Sequence, residues 1–479
     1  SGQYVEPLGV EAMNVSVRCD FMGNGFGSKS TVDEWDVACA KLAKATGKPV
    51  RLMLSRTTEM QIAGNRPSAY ATVTVACDAE GNLTAWDSHH WGSNGLRGSA
   101  VGLDVTPYVF QPKNRQSTAT GIVTNCSPER PWRAPHHPQA CAYTQTALDD
   151  LAAKAGIDSL QFFQKNLNLT SLPHVYGPEL KIAAKLMNWN EKWHPRGKGA
   201  GNGPVKRGIG VALHTWNGAA NQSNVTLKVH SDGSVEVVTG TQDVGTGTRT
   251  CIAQVAAETF GVSVSSVKVS LGSNKFPQAG PSAGSSTIGG VTGPVRRTAL
   301  KALWKFFDLV AALYSVDVTT LSAHEGRIWS DDKEVCTWKQ AASLMGPMGM
   351  ELYGEPVTED EGLTQHQVGG VQMSEVAVDT ETGVIRIVKM VAVQDAGMIV
   401  NRLLARSQVY SGLIMGIAYS LSEERIIDKK TGRFINANLN DYKPPRIGDI
   451  GDLVVEFYEP ESEYKRGVIG LSEPPVIST

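Results

Sequence analysis

The chain has 479 residues, 45 basic and 47 acidic side chains, and a formal net charge of -2. That length holds roughly two to four domains, or two large ones, and buries a core without a disulfide or metal staple. The near balance of charge excludes nucleic acid as the main partner, because phosphate binding needs a cationic surplus. Only 19% of residues are charged and 49 are glycine, a composition that excludes general disorder and predicts many close backbone approaches.

Residues 14–22 alternate well enough to predict a strand, and the glycine-dense turn Gly23–Lys29 follows. Residues 31–46 predict a helix that stops at Gly47 before Pro49, and residues 49–55 predict another strand. Two strands flank the turn Glu80-Gly81-Asn82 as a hairpin, and residues 139–156 and 158–167 predict helices. The Gly/Pro/Lys-rich stretch 195–207 predicts a linker and domain boundary. Strands resume at 208–216, at 224–240 around Asp232-Gly233, and at 267–272, with helices at 249–260 and about 293–314. A second hairpin spans 373–395, turning at Glu381-Thr382-Gly383, and residues 404–421 predict a helix. Strands and helices mix without strict alternation, which predicts an α+β fold.

The seven cysteines stand at 19, 39, 77, 126, 141, 251 and 336, without a CxxC pair. This is neither a disulfide framework nor a clustered zinc or iron–sulfur ligand set. No apolar run is long enough to predict a membrane span, and no leader pattern stands at the front. The chain starts at Ser1 and stops just after Pro474-Pro475, so it is expected to be a piece of something longer.

Five segments carry candidate chemistry. Gly23-Asn24-Gly25-Phe26-Gly27-Ser28-Lys29, between a strand and a helix, reads as an anion cradle of N–H donors or as an ordinary tight turn. Its GxGxG spacing is neither the dinucleotide fingerprint nor a Walker loop. The Pro-dense loop Pro131–Gln139 presents Arg133 beside Trp132, as a rigid functional loop or as a plain start to the next helix. The His89-His90 and His136-His137 pairs do not predict a metal site, because adjacent side chains rarely point at one ion. Gly240–Thr248 brings Gln242, Gly245 and Gly247 to a helix start, as ligand contacts or as a turn capped by Thr248.

Gly280–Thr287 contains GxSxG on paper, with Ser282 at its centre. A nucleophile elbow needs that serine between a strand and a helix, whereas Pro277 and Pro281 intervene here. A row of Ser, Thr and Gly suits hydrogen bonding along a polar ligand. Last, Glu473 stands on a stiff loop before Pro474-Pro475, as a general base with a raised pKa or as a surface carboxylate. Gln408, within a small-residue helix, reads equally as a core amide. Several Gly/Ser/Thr-rich turns far apart in sequence predict one large polar ligand wrapped by several loops.

In this order the pieces resemble the molybdenum-cofactor subunit or domain of the xanthine dehydrogenase / aldehyde oxidase family of molybdenum hydroxylases. Gly23–Lys29 is similar to that family's GGGFGGK-like loop, and Trp132–Gln139 to its FRGFGxPQ loop. Thr241–Gly247 matches TQDxGxG, Ser282–Thr287 the Ser/Ala/Gly turn, Gln408 the helix glutamine, and Ser472-Glu473-Pro474-Pro475 the GEPP motif. The match runs from about residue 14 to residue 476.

The resemblance implies two large molybdenum-cofactor-binding domains, residues 1–195 and 206–479, with the cofactor at their interface. The first would lack its N-terminal part and the second its C-terminal helix. It implies molybdopterin, in its cytosine dinucleotide form, held by Gly23, Asn24, Gly25, Phe26, Gly27, Arg133, Gln242, Gly245, Gly247, Ala283, Gly284, Ser285, Ser286, Thr287 and Gln408. Phe26, Arg133 and Gly284 would form the molybdenum's environment through backbone, and Glu473 would be the general base. The implied reaction oxidises an aldehyde or hydroxylates an N-heterocycle, with water as the oxygen source. Electrons would pass to an iron–sulfur partner and on to a FAD subunit, since this chain is expected to carry neither group. Asn24, Pro135-His136, Thr246 and Ser472 depart from the pattern, and the change at 135–136 argues against xanthine itself. The alternatives are a cofactor-free scaffold of the same fold, or a serine hydrolase pairing Ser282 with His324 or His366. Cytoplasm and periplasm both stay open.

Overall fold

The computed structural model describes residues 2–23, 25–96, 100–199, 203–356 and 367–479. The chain opens with helices α1 (Gly2–Leu8), α2 (Glu34–Thr46) and α3 (Arg56–Ile62). A capping box between Asp33 and Asp36 starts α2, and Gly47 at φ 63° ends it, as Gly47 predicted. Strands β1 (Tyr70–Cys77) and β2 (Leu83–Gly92) form the expected hairpin, and β3 (Asn114–Gly121) joins β2 in parallel. Helices α4 (His137–Ala155), α5 (Ser159–Lys165), α6 (Pro173–Met187) and α7 (Trp189–Lys192) complete the first half.

The second half holds β4 (Val205–Asn217), β5 (Val225–Val229), β6 (Val235–Thr239), α8 (Thr248–Phe260), β7 (Val267–Leu271) and α9 (Thr287–Tyr314). A small meander of β8 (Leu321–His324), β9 (Arg327–Ser330) and β10 (Lys333–Thr337) leads to α10 (Trp338–Ser343) and β11 (Met350–Gly354). The chain closes with β12 (Gln367–Asp379), β13 (Ile385–Asp395), α11 (Arg402–Leu421), β14 (Asp452–Tyr458) and α12 (Glu461–Tyr464). The architecture is α+β, as the irregular alternation predicted.

Two four-stranded sheets organise the molecule, in the orders β14–β13–β12–β4 and β11–β5–β6–β7. In the second sheet, Val225, Leu227, Val229, Val235 and Val237 alternate inward against α8 and α9. Helix α9 answers with Val291, Val295, Ala299, Ala302, Phe306 and Val310, a buried stripe at helical spacing. Removing the fully buried Phe306 ring would cost about 3–5 kcal/mol. In the first sheet, Val371, Met373, Val391 and Val393 pack with α4, α5 and α6 and with Val476 and Ile477. That core draws on residues from both sides of the 195–207 stretch. On its other face, Met390, Ala392, Val455 and Phe457 pack under α11 through Val409, Leu413 and Ile417.

Two predicted strands are corrected. Among the described residues, 14–22 makes only a single bridge, Arg18 to Ser273, and 49–55 joins no sheet. Alternation shapes a strand only where another strand runs beside it, and 17–19 meets only the short stretch 272–274, through Cys19 N–H to Gly272 O and Asn274 N–H to Val17 O. No helix among the described residues is long and apolar enough to cross a membrane.

Candidate functional site

Five loops converge on one cavity of about 900 Å³. Gly25, Phe26, Gly27, Arg133, Gln242, Gly245, Ala283, Gly284, Ser285, Thr287, Gln408 and Glu473 all line it. Gly23, Gly247 and Ser286 stand just outside its wall, and Asn24 lies outside the described residues.

The first two motifs are physically one unit. Arg133 N–H donates to Phe26 O at 2.7 Å, and the Phe26 ring stacks on Trp132 with centroids 6.4 Å apart. Gly27 has φ 105°, and a Cβ there would overlap the Pro131 carbonyl. The third motif is organised by Asp243, whose role the sequence reading missed. Its carboxylate accepts from the N–H groups of Gly245 (3.0 Å), Gly247 (3.1 Å) and Arg249 (3.1 Å), at the positive end of α8. An Asp just before a helix start is a local capping signal, so this one was available in the sequence. Gly247, the residue before α8, sits at φ 87°, the left-handed region that favours glycine.

Ser282 joins the third motif to the fourth. Its hydroxyl donates to Gln242 O at 3.0 Å and accepts from Gln242 N–H at 3.2 Å. It lies in a loop well past the end of β7, not between a strand and a helix. His324 sits at the end of β8, stacked on Trp329 at 4.9 Å, in a separate surface cavity of about 850 Å³. His366 lies outside the described residues. The placement of Ser282 therefore suits loop bracing and not nucleophilic attack.

Arg133 and Glu473 form the charged end of the cavity. Arg133 is only 3% exposed. Its Nε donates to Ser472 O, Nη1 to Ser411 Oγ at 3.2 Å, and Nη2 to Gln408 O at 2.9 Å. Glu473 Oε2 accepts from Ala134 N–H, and Glu473 N–H donates to Ser285 Oγ at 2.9 Å. Burial pushes the Glu473 carboxyl above its ordinary value, while the Ala134 N–H, the Arg133 charge, the Gly284 N–H and the Arg66 charge pull it back. Burial also lowers Arg133 to about 10, which leaves it cationic at neutral pH. Phe26, Ala134, His136 and Ser285 hold φ of 46°, 57°, 69° and 63°. Each such left-handed residue costs about 1 kcal/mol, and such strain gathers at functional sites.

The segment leading to Glu473 is anchored by a second cluster, also missed in the sequence. Arg466 bonds Asp395 Oδ2 at 2.9 Å, Glu463 Oε2, and Gln367 O. Asp395 Oδ1 accepts from Gly397 N–H at 3.1 Å, and Met398 N–H donates to Gly467 O at 2.8 Å. Glu179 stands close by, fully buried. Burial first, then Asp395 and Glu463, raises its carboxyl well above the ordinary range.

Among the described residues no group of three or more His, Cys, Asp or Glu could hold a metal ion. The cavity wall offers instead glycine backbone, hydroxyls and carboxamides. This donor set fits a large polar organic ligand that carries its own metal.

Residues 182–451 and residues 2–167 each match the family described as "Molybdopterin cofactor-binding domain". The aldehyde oxidoreductase molybdenum-binding subunit PaoC of Escherichia coli K12 is 28% identical over 464 residues, 94% of this chain and 62% of that protein. The xanthine dehydrogenase molybdenum-binding subunit of Escherichia coli O157:H7 is 29% identical over 496 residues, 95% of this chain and 64% of that protein. The chain thus spans 62% and 64% of the length of these relatives. The quinoline 2-oxidoreductase of Pseudomonas putida 86 shares the fold with a TM-score of 0.85 at 20% identity, covering 100% of this chain and 66% of that one. The chain belongs to the molybdopterin cofactor-binding family, with the molybdenum-binding subunits of aldehyde oxidoreductase and xanthine dehydrogenase among its relatives.

Proposed function

We propose that the chain is the cofactor-holding part of a molybdenum hydroxylase that oxidises an aldehyde or hydroxylates an N-heterocycle, with water as the oxygen source. The observation that carries this is the placement of Glu473: a half-buried carboxylate at the meeting point of the glycine-rich loops, beside Arg133. When bound, the molybdenum cofactor supplies the two-electron redox chemistry. Gly25–Gly27, Gln242, Gly245, Ala283–Thr287 and Gln408 hold it, in the cytosine dinucleotide form. Glu473 takes the proton from the oxygen nucleophile as general base. Arg133 holds the Ser472 carbonyl and the Gln408 carbonyl within α11, which fixes where that carboxylate points. The Phe26–Trp132 stack ties the first loop to the second.

Residues 1–195 and 206–479 serve as the two cofactor-binding domains. Electrons leave to an iron–sulfur partner and a FAD subunit on other chains or segments, consistent with the scattered cysteines. The test is molybdenum content and turnover of the complete assembly, with an aldehyde and an N-heterocycle offered in turn. Molybdenum near one per chain with turnover of either substrate supports the reading. No molybdenum in an assembly with fully occupied partner subunits overturns it in favour of a scaffold.

A further inference from the structure

The segment 64–67 runs beside the loop that carries Arg133. Asn65 and Glu129 form a parallel bridge, Arg130 N–H donates to Asn65 O at 3.1 Å, and Asn65 Nδ2 donates to Ser127 O at 2.8 Å. Arg66 extends this contact with its side chain. Nη2 donates to Arg133 O at 3.0 Å and Nη1 to Ala134 O at 3.5 Å. Ala134 is fully buried at φ 57°, and its N–H is the donor to Glu473 Oε2. On its other side, the Arg66 guanidinium carbon lies 5.8 Å from the centroid of the Tyr419 ring. The Tyr419 hydroxyl donates to Val476 O, in the short turn Pro474–Val476 that begins just after Glu473.

We propose that Arg66 is a positioning residue for Glu473, holding the Arg133–Ala134 peptide on one side and the Tyr419 ring on the other so that the carboxylate is fixed from both. No loop of the family resemblance contains residue 66. The geometry needs arginine. Two adjacent carbonyls are bonded by two nitrogens of one planar fork while the flat face meets a ring, which a lysine ammonium cannot reproduce. The Ala134 conformation is unfavourable on its own, so an outside grip on its carbonyl keeps the N–H aimed at Glu473. Arg66 also supplies positive charge that favours the ionised form of Glu473, alongside Arg133. Burial lowers Arg66 itself, while Tyr419 and Glu473 draw it back up.

The inference rests on the reading of Glu473 as base, and the experiment separates the two. Arg66→Met and Arg66→Lys are made in the holoenzyme assembly and compared with wild type and Glu473→Gln. Two quantities are measured: the kcat/KM pH profile, and the pH titration of the Glu473 carboxyl band by infrared difference spectroscopy, assigned by its loss in Glu473→Gln. Losing a neighbouring cation raises a carboxyl pKa, so Arg66→Met moves both the acidic limb and the band upward by about one unit. Its kcat falls about tenfold or more with KM within about twofold. Arg66→Lys keeps the charge but loses the fork, so its acidic limb stays near wild type while kcat still falls about tenfold. An Arg66→Met band that titrates with wild type overturns the inference. Should Arg66→Met fail to fold, Arg66→Lys decides alone: wild-type kcat there overturns it. Full turnover in Glu473→Gln would sink the base reading, while the infrared band would still report whether Arg66 acts on Glu473.

Discussion

Two buried charge clusters sit at opposite ends of one short segment, 466–473, and their charge balance is opposite. At the 473 end one carboxylate faces two guanidinium groups, Arg133 and Arg66. At the 466 end one guanidinium, Arg466, faces Asp395 and Glu463, with Glu179 beside them. Burial raises Glu473 and the arginines draw it back. Burial and like charge raise Glu179 together, well above the ordinary range. The contrast teaches that burial alone does not make a carboxyl a base. The sign of its neighbours decides whether the shift from burial is offset or enlarged.

Glu473→Gln gives the largest expected effect. It removes the proposed base from the cation-rich end, and kcat is expected to drop by about 10²–10⁴ with molybdenum content unchanged. Equal loss of molybdenum and turnover would instead make Glu473 part of the holding site. Arg466→Met comes next, since it strips the only cation of the trio from Asp395 and Glu463. Breaking a buried pair from one side costs about 3–5 kcal/mol, read as a lower urea midpoint at neutral pH. The Asp395 carboxyl, already raised by burial, then loses the Arg466 charge that draws it down, so the penalty shrinks as pH falls and Asp395 takes up a proton. A penalty independent of pH would break the comparison.

Glu179→Gln is the smallest, within about 1 kcal/mol at neutral pH. Glu179 has a folded-state value raised above its ordinary 4.5, so the stability tied to its proton is present at low pH and is lost as pH rises through the folded value. The glutamine variant escapes that loss. It should therefore gain on wild type as pH rises, in urea titrations at several pH values. A variant that falls behind wild type with rising pH would mean that Glu179 is ionised and paired in the folded state.

What was legible in the sequence was local. Gly23–Lys29, Gly240–Thr248 and Gly280–Thr287 announce themselves because glycine, small polar residues and a helix start stand together within one turn. All six matched segments put residues on the wall of one cavity. The strands predicted at 14–22 and 49–55 failed because a strand is completed by a partner that the pattern does not name. Arg66, Asp395, Glu463 and Arg466 were silent for the same reason. Asp395 and Arg466 are 71 residues apart, and Ala134 and Glu473 are 339 apart. No spacing rule connects side chains that only the fold brings together.

Gly470 lies directly against Ser285, and a Cβ at 470 would overlap the Ser285 carbonyl oxygen. The loop that bears Glu473 and the loop that begins α9 thus cross backbone on backbone, with no room for a side chain between them. They must be inherited as a matched pair, because neither can change length or gain bulk without moving the other. Elsewhere the same cavity is lined by Met398, Val400 and Leu404, which take no part in that crossing. Added bulk at residue 470 would therefore push the two loops apart.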